Sequence, residues 1–167
     1  MTVHLITVSD RASAGVYRDE SGDLMQQEVQ ATFAGATIRR ALVPDEPDRI
    51  RAALEEALAQ GADVVLTTGG TGLGPRDVTP DVTAAFCTRA APGIAEALRA
   101  QAIRETPYGM LSRGYAGLRG TMLVVNFPGR AKAVRSCLSV LLPVLDHALL
   151  MTRGGDHPGG PSSRALT

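Results

Sequence analysis

The sequence predicts an α/β fold in which helices cover both faces of a mostly parallel central sheet. Strand-like and helix-like segments alternate along the chain, which is the order that builds such a sheet. The segment 63–68 is short and apolar, as is typical of a strand buried on both faces. Polar or glycine-rich residues follow four of the strand-like segments. Since parallel strands end at a common edge where ligands bind, these residues are expected to lie near each other.

The first half of the chain predicts two strands and two helices. Residues 3–8 are a β-branched run, and residues 37–43 alternate between apolar and polar side chains. Between them, residues 21–33 place apolar side chains at helical spacing. A second helix follows, with Asp48 predicted as its cap and Gly61 as its stop.

The middle of the chain predicts a buried strand and two more helices. The strand is the apolar segment 63–68. Thr79 is predicted to cap the next helix, with Pro80 at the first helical position. A Pro-Gly pair then breaks the chain before a helix over residues 94–104.

The last part of the domain predicts a strand followed by a long helical region. Residues 114–120 are rich in glycine and predict a hairpin or a loop, and residues 121–127 are the last strong strand. A helix follows over residues 130–142. Pro143 predicts either a kink in this helix or the start of a second one.

Length and charge limit the classes of protein that the chain can belong to. With 167 residues, 44% of them hydrophobic, the chain fits one domain, over residues 1–153. The rest, 154–167, is rich in Gly, Pro and Ser and predicts a loose tail. The formal net charge is zero, aromatic residues make up 4% and Trp is absent, so no nucleic-acid partner is expected.

The cysteines and the apolar runs predict a cytoplasmic protein without a membrane partner. Cys87 and Cys137 stand alone, with no CxxC motif, which fits a reducing compartment. Residues 1–8 are typical of a strand rather than of a signal peptide. The run 138–151 comes closest to a membrane span, but Pro143 and two polar residues interrupt it.

The segment 69–74 contains four glycines in six residues, directly after a predicted buried strand. Glycine allows the backbone to approach a ligand closely, and successive amides in such a turn bind anions. The segment is neither a Walker loop nor a dinucleotide fingerprint. A tight turn between strand and helix is the alternative, but the threonines between the glycines favour binding of a phosphate or a pterin.

Two aspartates follow neighbouring strand ends. Asp45 comes just after the strand 37–43, and Asp77 comes shortly before the predicted cap Thr79. Singly, each is more typical of a turn or a helix start. As a pair, they predict a site that holds Mg²⁺ against a triphosphate, because Mg²⁺ binds one or two carboxylates together with phosphate oxygens.

Other polar residues at the same edge leave two interpretations open. Arg11, after the first strand, fits either a loop residue or a phosphate ligand. Asn126 ends a buried strand before a helix start that could bind an anion, and a plain connection between strand and helix is the alternative. Ser112 fits a hydroxyl near phosphate or, on sequence alone, a surface turn. The three histidines are scattered and show no spacing typical of metal ligands.

Five segments of the chain resemble, in the same order, the motifs of the MogA/MoaB family, which includes the G domains of gephyrin and of plant molybdenum cofactor proteins. The resemblance covers roughly residues 3–152, and its long glycine-to-aspartate motif is highly specific. The segments are 9–17, 44–45, 67–81, 111–113 and 126–129.

The resemblance implies a three-layer α/β/α fold and a homo-oligomer, either a trimer or a dimer of trimers. It implies transfer of AMP from Mg-ATP to the terminal phosphate of molybdopterin, with Mg²⁺ as cofactor and ATP as co-substrate. The product would pass to a MoeA-like partner that inserts molybdate. The alternative is a MoaB-type protein that binds pterin or acts as a scaffold without catalysis, but the presence of both Asp45 and Asp77 favours the enzyme.

The resemblance also implies roles for individual residues. Asp45 and Asp77 would be catalytic and would bind the metal. The residues expected to bind substrate are Ser9, Arg11, Thr68, Gly69, Gly70, Thr71, Gly72, Arg76, Ser112, Asn126, Pro128 and Gly129.

Overall fold

The computed structural model describes residues 1–155, so nearly all of the predicted tail lies outside the described residues. The strands of the described part are β1 (Thr2–Val8), β2 (Thr37–Val43), β3 (Val64–Thr68), β4 (Arg89–Ala90), β5 (Ala116–Arg119) and β6 (Met122–Phe127). Its α-helices are α1 (Asp10–Ser13), α2 (Glu20–Thr32), α3 (Pro47–Ala59), α4 (Thr79–Phe86), α5 (Pro92–Glu105) and α6 (Ala131–Thr152), and a 3₁₀ helix spans Pro107–Leu111.

The strands form one sheet in the order β2-β1-β3-β6-β5-β4. The four strands from β2 to β6 are parallel to one another. β5 pairs antiparallel with β6, and β4 pairs antiparallel with β5. The predicted mostly parallel sheet is therefore confirmed, and the glycine-rich segment 114–120 contributes one arm of a hairpin.

Helices cover both faces of the sheet, which confirms the predicted three-layer fold. On one face, α2, α5 and α6 enclose a core that includes Met25, Leu138 and Leu145. On the other face, α3 and α4 enclose a second core around Leu54 and Phe86. The central strand β3 is buried along its whole length because side chains on both of its faces contact a helical layer.

Two predicted helix caps are wrong. The cap of α3 is Glu46, and Asp48 lies in the first turn because Pro47 already starts the helix. The cap of α4 is Val78, without a side-chain cap. Thr79 is instead the first residue of α4, and its backbone N–H donates to the carbonyl of Gly70 at 3.1 Å.

Helix α6 is 22 residues long and continues without a break through Pro143 to Thr152, so a separate second helix does not form. By length and composition it meets the requirement for a membrane span, contrary to the expectation that no stretch would. Its inner side chains nevertheless pack against the sheet, as in the core helix of a globular domain. These buried residues include Val134, Leu138, Leu141, Leu145 and Leu149.

The parallel register places the ends of four strands at one edge of the sheet. Val8 at the end of β1 is paired with Val43, and Thr68 at the end of β3 is paired with both Thr7 and Phe127. The polar segments that follow these strands therefore emerge side by side, as the sequence predicts.

Candidate functional site

An open cleft of about 720 Å³ lies at this edge of the sheet. The loops after β1, β2, β3 and β6 and the start of α2 surround it, so residues distant in sequence meet there. Its lining residues are Thr7, Val8, Ser9, Tyr17, Arg18, Asp19, Glu20, Ser21, Asp45, Thr68, Gly69, Gly70, Asp77, Gly129, Arg130 and Ala131.

The glycine loop forms part of the cleft wall in a backbone conformation that favours glycine. Gly69 and Gly70 have φ angles of 100° and 60°. A Cβ on Gly69 would lie 2.1 Å from the carbonyl oxygen of Val8, so only glycine allows the loop to pack against the end of β1. The N–H of Gly69 donates to the carbonyl of Phe127 at 3.1 Å, which ties the loop to β6.

Asp45 is half-buried and lines the cleft. Its Oδ2 accepts a hydrogen bond from the N–H of Asp10 at 2.8 Å, and its own N–H donates to Oδ1 of Asp10 at 2.9 Å. Within residues 1–155, its Oδ1 has no hydrogen-bond partner, and this oxygen lies 3.0 Å from the position of a Cβ on Gly70. One carboxylate oxygen of Asp45 is therefore available beside the glycine loop.

Burial raises the pKa of the Asp45 carboxyl above its ordinary value. The N–H of Asp10 opposes this shift, and the negative charges of Asp10 and Asp77 add to it. The charge of Asp77 is the smallest of these contributions to the raised pKa of Asp45.

Asp77 is also half-buried and lines the same cleft. Its Oδ2 accepts a hydrogen bond from the N–H of Gly74 at 2.8 Å. Over the described part of the chain, no three His, Cys, Asp or Glu side chains form a group that would hold a metal by themselves. Asp45 and Asp77 are the two cleft carboxylates beside the glycine loop, and such a pair fits Mg²⁺ bound jointly by protein, phosphate and water oxygens.

Arg76 does not line the cleft, although the sequence predicts that it binds substrate. Its Nη2 lies 2.7 Å from both Oδ1 and Oδ2 of Asp10, and its Nε lies 3.1 Å from Oδ2. These contacts hold the pKa of Asp10 below its ordinary value. Asp10 lies in one of the sequence motifs. Its partners Asp45 and Arg76 are 35 and 66 residues away along the chain, so no local sequence pattern predicts these contacts.

Several predicted substrate-binding residues do meet in the cleft. Ser9, Thr68, Gly69, Gly70 and Gly129 line it together with both acids. The hydroxyl of Thr68 donates at 2.7 Å to the carbonyl of Pro128, in the turn before α6, so this side chain shapes the wall of the cleft.

The neighbouring residues Arg11, Thr71 and Gly72 lie outside the cleft lining. The guanidinium of Arg11 lies over the ring of Tyr17, 5.2 Å from its centroid. Thr71 and Gly72 use their carbonyls to accept hydrogen bonds from Arg113, at 2.9 and 3.0 Å.

Ser112, Asn126 and Pro128 are not brought to this cleft. They line a separate cavity of about 20 Å³ under α5.

The side-chain amide of Asn126 connects several elements. Its Nδ2 donates to Thr67 at 2.9 Å and to Thr83 at 3.0 Å. Its Oδ1 accepts a hydrogen bond from the backbone N–H of Tyr115 at 3.2 Å, so this buried amide links β3, α4 and the hairpin.

The structure adds Asp19 to the residues of the site. Its carboxylate caps α2 through the N–H of Gly22 at 2.9 Å and accepts from Thr7 at 2.7 Å and from Arg40 at 2.8 Å. An aspartate just before a helical segment is a recognisable cap signal in the sequence. The contacts of Asp19 with β1 and β2 cannot be recognised in the sequence, because they depend on how the strands pair.

The start of α6 also borders the cleft. Arg130 is its N-cap residue and makes no side-chain cap, and both Arg130 and Ala131 line the cleft. The first-turn N–H groups of a helix have no acceptor within the helix. Ser21 joins this turn to α2 by donating to the carbonyl of Gly129 at 2.7 Å.

Arg113 holds the far side of the glycine loop. Besides the carbonyl of Gly72, its guanidinium contacts the carbonyl of Asp77 at 2.5 Å and the carboxylate of Asp81 at 2.9 Å. Arg113 thereby holds the segment 72–81 at three residues. The sequence motif contains Arg113, but its spacing does not reveal this bracing role.

Comparison with known families identifies the domain. The model of the probable molybdopterin binding domain matches residues 4–147. The chain belongs to this family. The match covers the cleft, the glycine loop and both acids, so the sequence-based resemblance to the MogA/MoaB family is confirmed.

Curated relatives carry names from the same pathway. The chain is 44% identical to the molybdenum cofactor biosynthesis bifunctional protein of Synechococcus elongatus, over 92% of this chain and 48% of that protein. It is 35% identical to the molybdopterin adenylyltransferase of Helicobacter pylori J99, over 92% and 89%. The chain thus spans about half of the cyanobacterial protein, and 25% of the Drosophila melanogaster protein cinnamon, to which it is 36% identical.

Solved structures confirm the fold. A MogA structure superposes with a TM-score of 0.86 at 37% identity, covering 91% of this chain and 99% of that one. MoaB from Thermus thermophilus gives a TM-score of 0.83 at 41% identity, covering 92% and 96%.

Proposed function

We propose that this protein is a molybdopterin adenylyltransferase, which transfers AMP from Mg-ATP to the terminal phosphate of molybdopterin and releases pyrophosphate. The observation that carries the proposal is the meeting of Asp45 and Asp77 with the glycine loop in one cleft. Relatives named molybdopterin adenylyltransferase, with 34–41% identity, support the choice of substrate.

The nucleophile in this reaction belongs to the substrate. An oxygen of the molybdopterin phosphate forms a bond to the α-phosphorus of ATP, and the bond from that phosphorus to the bridging oxygen of pyrophosphate breaks. The attacking oxygen is already anionic at neutral pH, so the protein need not supply a base. Catalysis then rests on alignment of the two phosphates and on neutralisation of their charge.

Asp45 and Asp77 are the residues that would hold Mg²⁺. When bound, the cation neutralises negative charge on the phosphate oxygens. Asp45 supplies the oxygen that lies beside Gly70, and Asp77 supplies its carboxylate from the other end of the loop. The hydrogen bonds from Asp10 and Gly74 fix the second oxygen of each acid, so both side chains are oriented before ligand binds.

Backbone groups of the cleft would bind the anionic parts of the substrates. Gly70 of the glycine loop and the first turn of α6 border the same space. The N–H groups of Gly69 and Gly74 already have acceptors within the protein, so Gly70 and the start of α6 are the groups assigned to phosphate. Such groups bind phosphate without a lysine, and the only lysine of this chain, Lys132, does not line the cleft. Arg18 and Arg130 add positive charge at its rim.

The proposal extends to the cellular location, the oligomeric state and the partner of the protein. The protein acts in the cytoplasm as a homo-oligomer, a trimer or a hexamer, and hands its product to a MoeA-like enzyme that inserts molybdate. Cys87 and Cys137 are free thiols, as a reducing compartment requires. Light scattering is expected to give three or six times the chain mass of 17.5 kDa.

A turnover assay tests the activity. Purified protein with molybdopterin, ATP and Mg²⁺ is expected to release pyrophosphate and to form adenylylated pterin. Asp77→Asn should lower turnover by at least about 100-fold, because it removes a charge that holds the cation, while pterin binding measured by fluorescence stays near that of the unmodified protein. Asp48→Asn, an exposed aspartate on α3, is the matched control and should keep full turnover.

Two results would contradict the proposal. Unmodified protein that binds pterin but transfers no AMP would show a non-catalytic member of the family. Full turnover by Asp77→Asn would show that the metal assignment is wrong.

A further inference from the structure

The two acids assigned to the metal are connected through Asp10 and Arg76, which do not line the cleft. Asp45 and Asp10 exchange two hydrogen bonds between backbone N–H and carboxylate, at 2.8 and 2.9 Å. Asp10 in turn binds the guanidinium of Arg76. Arg76 is the residue directly before Asp77. The sequence of contacts therefore runs from Asp45 through Asp10 and Arg76 to Asp77.

The geometry of the Asp10–Arg76 pair favours positioning over stabilisation. The guanidinium contacts both carboxylate oxygens, which fixes its orientation as well as its distance. Both side chains are about half exposed, at 59% for Arg76 and 45% for Asp10. Exposed ion pairs contribute little to the free energy of unfolding. Removing this pair is therefore expected to change the local geometry much more than the stability of the fold.

Among the described residues, no hydrogen bond or ion pair joins the loop after β2 directly to the loop after β3, and the polar connection runs through Asp10 on α1. Asp45 reaches the glycine loop only as a close neighbour of Gly70. Asp77 bonds within its own loop, to Gly74. The distance between the two carboxylates thus depends on how these loops are held together, and the Asp10–Arg76 pair is the polar link between them.

We propose that Asp10 and Arg76 are positioning residues, an ion-paired strut that sets the spacing of Asp45 and Asp77 for a divalent cation. The inference rests on the proposed metal site and assigns Arg76 a role different from the phosphate contact that its sequence position suggests. Asp10 accepts the N–H of Asp45 with the same carboxylate that holds Arg76, so a single side chain couples both loops.

Cation binding in the presence of nucleotide tests the strut directly. The probe is Mn²⁺, followed by electron paramagnetic resonance with the non-hydrolysable α,β-methylene analogue of ATP. Asp10→Asn keeps an oxygen for the N–H of Asp45 but removes the charge that holds Arg76, and Arg76→Gln removes the other partner. Each variant is expected to weaken Mn²⁺ binding about tenfold, as is typical for residues that orient metal ligands.

The double variant separates a strut from two independent effects. If both residues act through one contact, Asp10→Asn with Arg76→Gln should bind Mn²⁺ about as well as either single variant, rather than about a hundredfold more weakly than the unmodified protein. Binding of ATP in EDTA should be unchanged in all three variants. The matched control is Arg153→Gln, which removes the ion pair between a similarly exposed arginine and Asp63. Asp63 precedes β3 and lies at the opposite edge of the sheet.

Three results of the Mn²⁺ experiment would overturn the inference: unchanged Mn²⁺ affinity in both single variants, multiplicative losses in the double variant, or no Mn²⁺ binding by the unmodified protein. Loss of ATP binding in EDTA by Arg76→Gln, with Asp10→Asn unaffected, would also overturn it and make Arg76 a phosphate ligand. Absence of AMP transfer, with the Mn²⁺ results as expected, would contradict the proposed function and leave the strut in place.

Discussion

At the scale of residues, the site places negative charges close together before any ligand binds. Asp45 lies half-buried beside Asp10 and within reach of the charge of Asp77. Arg76 is paired with Asp10, whereas neither Asp45 nor Asp77 forms an ion pair within the described residues. Repulsion of this kind costs stability in the free protein and is relieved when a divalent cation binds.

Asp45→Asn should therefore make the fold more stable while removing activity. In the folded protein, the pKa of Asp45 is raised above its ordinary value of 3.8. The contribution of Asp45 to the stability of the fold is therefore lost as the pH rises from the ordinary pKa through the raised pKa of the folded state. At pH 7 the substitution removes a poorly solvated charge and keeps an acceptor for Asp10. Scanning calorimetry should show a rise in Tm of about 1–3 °C.

The pH dependence is the control for this prediction. At about pH 3, below the ordinary pKa, Asp45 is protonated in both the folded and unfolded states, so the difference in Tm should vanish. A Tm advantage of the same size at both pH values would contradict the electrostatic explanation.

The glycine loop offers a second prediction at this scale. Gly70 and Gly120 both have a φ angle of 60°, but a Cβ on Gly120 meets nothing within 4 Å. Gly120→Ala should cost about 1–2 kcal/mol of unfolding free energy, from the left-handed backbone alone. In Gly70→Ala, the new Cβ would lie 2.3 Å from the hydroxyl of Thr79 and 3.0 Å from Oδ1 of Asp45. This variant should cost about 1–3 kcal/mol more.

Urea unfolding and turnover together check this pair. Gly120→Ala should keep turnover, whereas Gly70→Ala should lose it because Asp45 is displaced. Equal costs and equal turnover for both variants would show that Gly70 is needed only for its backbone angle.

At the scale of elements, the loop between β3 and α4 is held at both ends. Its start is fixed to β6 through Gly69 and Phe127, and its later part is fixed to Arg113, which follows the 3₁₀ helix. The short hairpin of β5 and β6 places Arg113 beside the loop. Support at both ends allows a glycine-rich segment to keep one ordered backbone geometry.

Helix α6 contains the clearest conflict between local preference and tertiary structure. Pro143 lies inside the helix, on its exposed side, between buried residues of the core face. Pro143→Ala should raise the unfolding free energy by about 1–2 kcal/mol. The gain in helix propensity of about 3 kcal/mol is partly offset by the greater freedom of alanine in the unfolded chain and by local adjustment around the proline.

Calorimetry of Pro143→Ala should accordingly show a higher Tm. Val144→Ala is the control, because it changes an exposed side chain of the same turn and leaves the backbone hydrogen bonds intact. A Tm below that of the unmodified protein would mean that the proline is needed for the path of α6.

At the scale of the whole molecule, the alternating order of strands and helices creates the site. Four parallel strands end at one edge, and the starts of α2 and α6 close the cleft from one face of the sheet. The two cores lie behind this edge on opposite faces. Ligand binding therefore joins loops from both halves of the chain.

Mg-ATP should stabilise the whole domain. At a ligand concentration of about 100 times Kd, binding adds about 2.7 kcal/mol to the unfolding free energy. Tm should rise by roughly 5–10 °C in a thermal-shift assay, since 1 kcal/mol corresponds to about 2–4 °C at this size. ATP with EDTA is the control and should give a clearly smaller rise. An equal rise without a divalent cation would contradict joint binding of metal and nucleotide at Asp45 and Asp77.

The pattern of the sequence predicted the main elements and the edge of the sheet at which the cleft lies. The bounds of β2 are those predicted, and the other strong strands agree within one residue, because burial on a sheet leaves a periodic pattern in neighbouring residues. The glycine loop and the pair Asp45 and Asp77 were identified because strand order alone brings their segments to one edge.

Only the tertiary structure decided which side chains face the cleft and which contact each other. It placed Asn126 and Ser112 around an internal cavity, paired Arg76 with Asp10, and showed that Arg113 braces the glycine loop. These partners lie tens of residues apart, and no local pattern encodes their contact. Secondary structure follows from the preferences of neighbouring residues, whereas a side chain's partner depends on how distant elements pack, which is settled only when the whole chain folds.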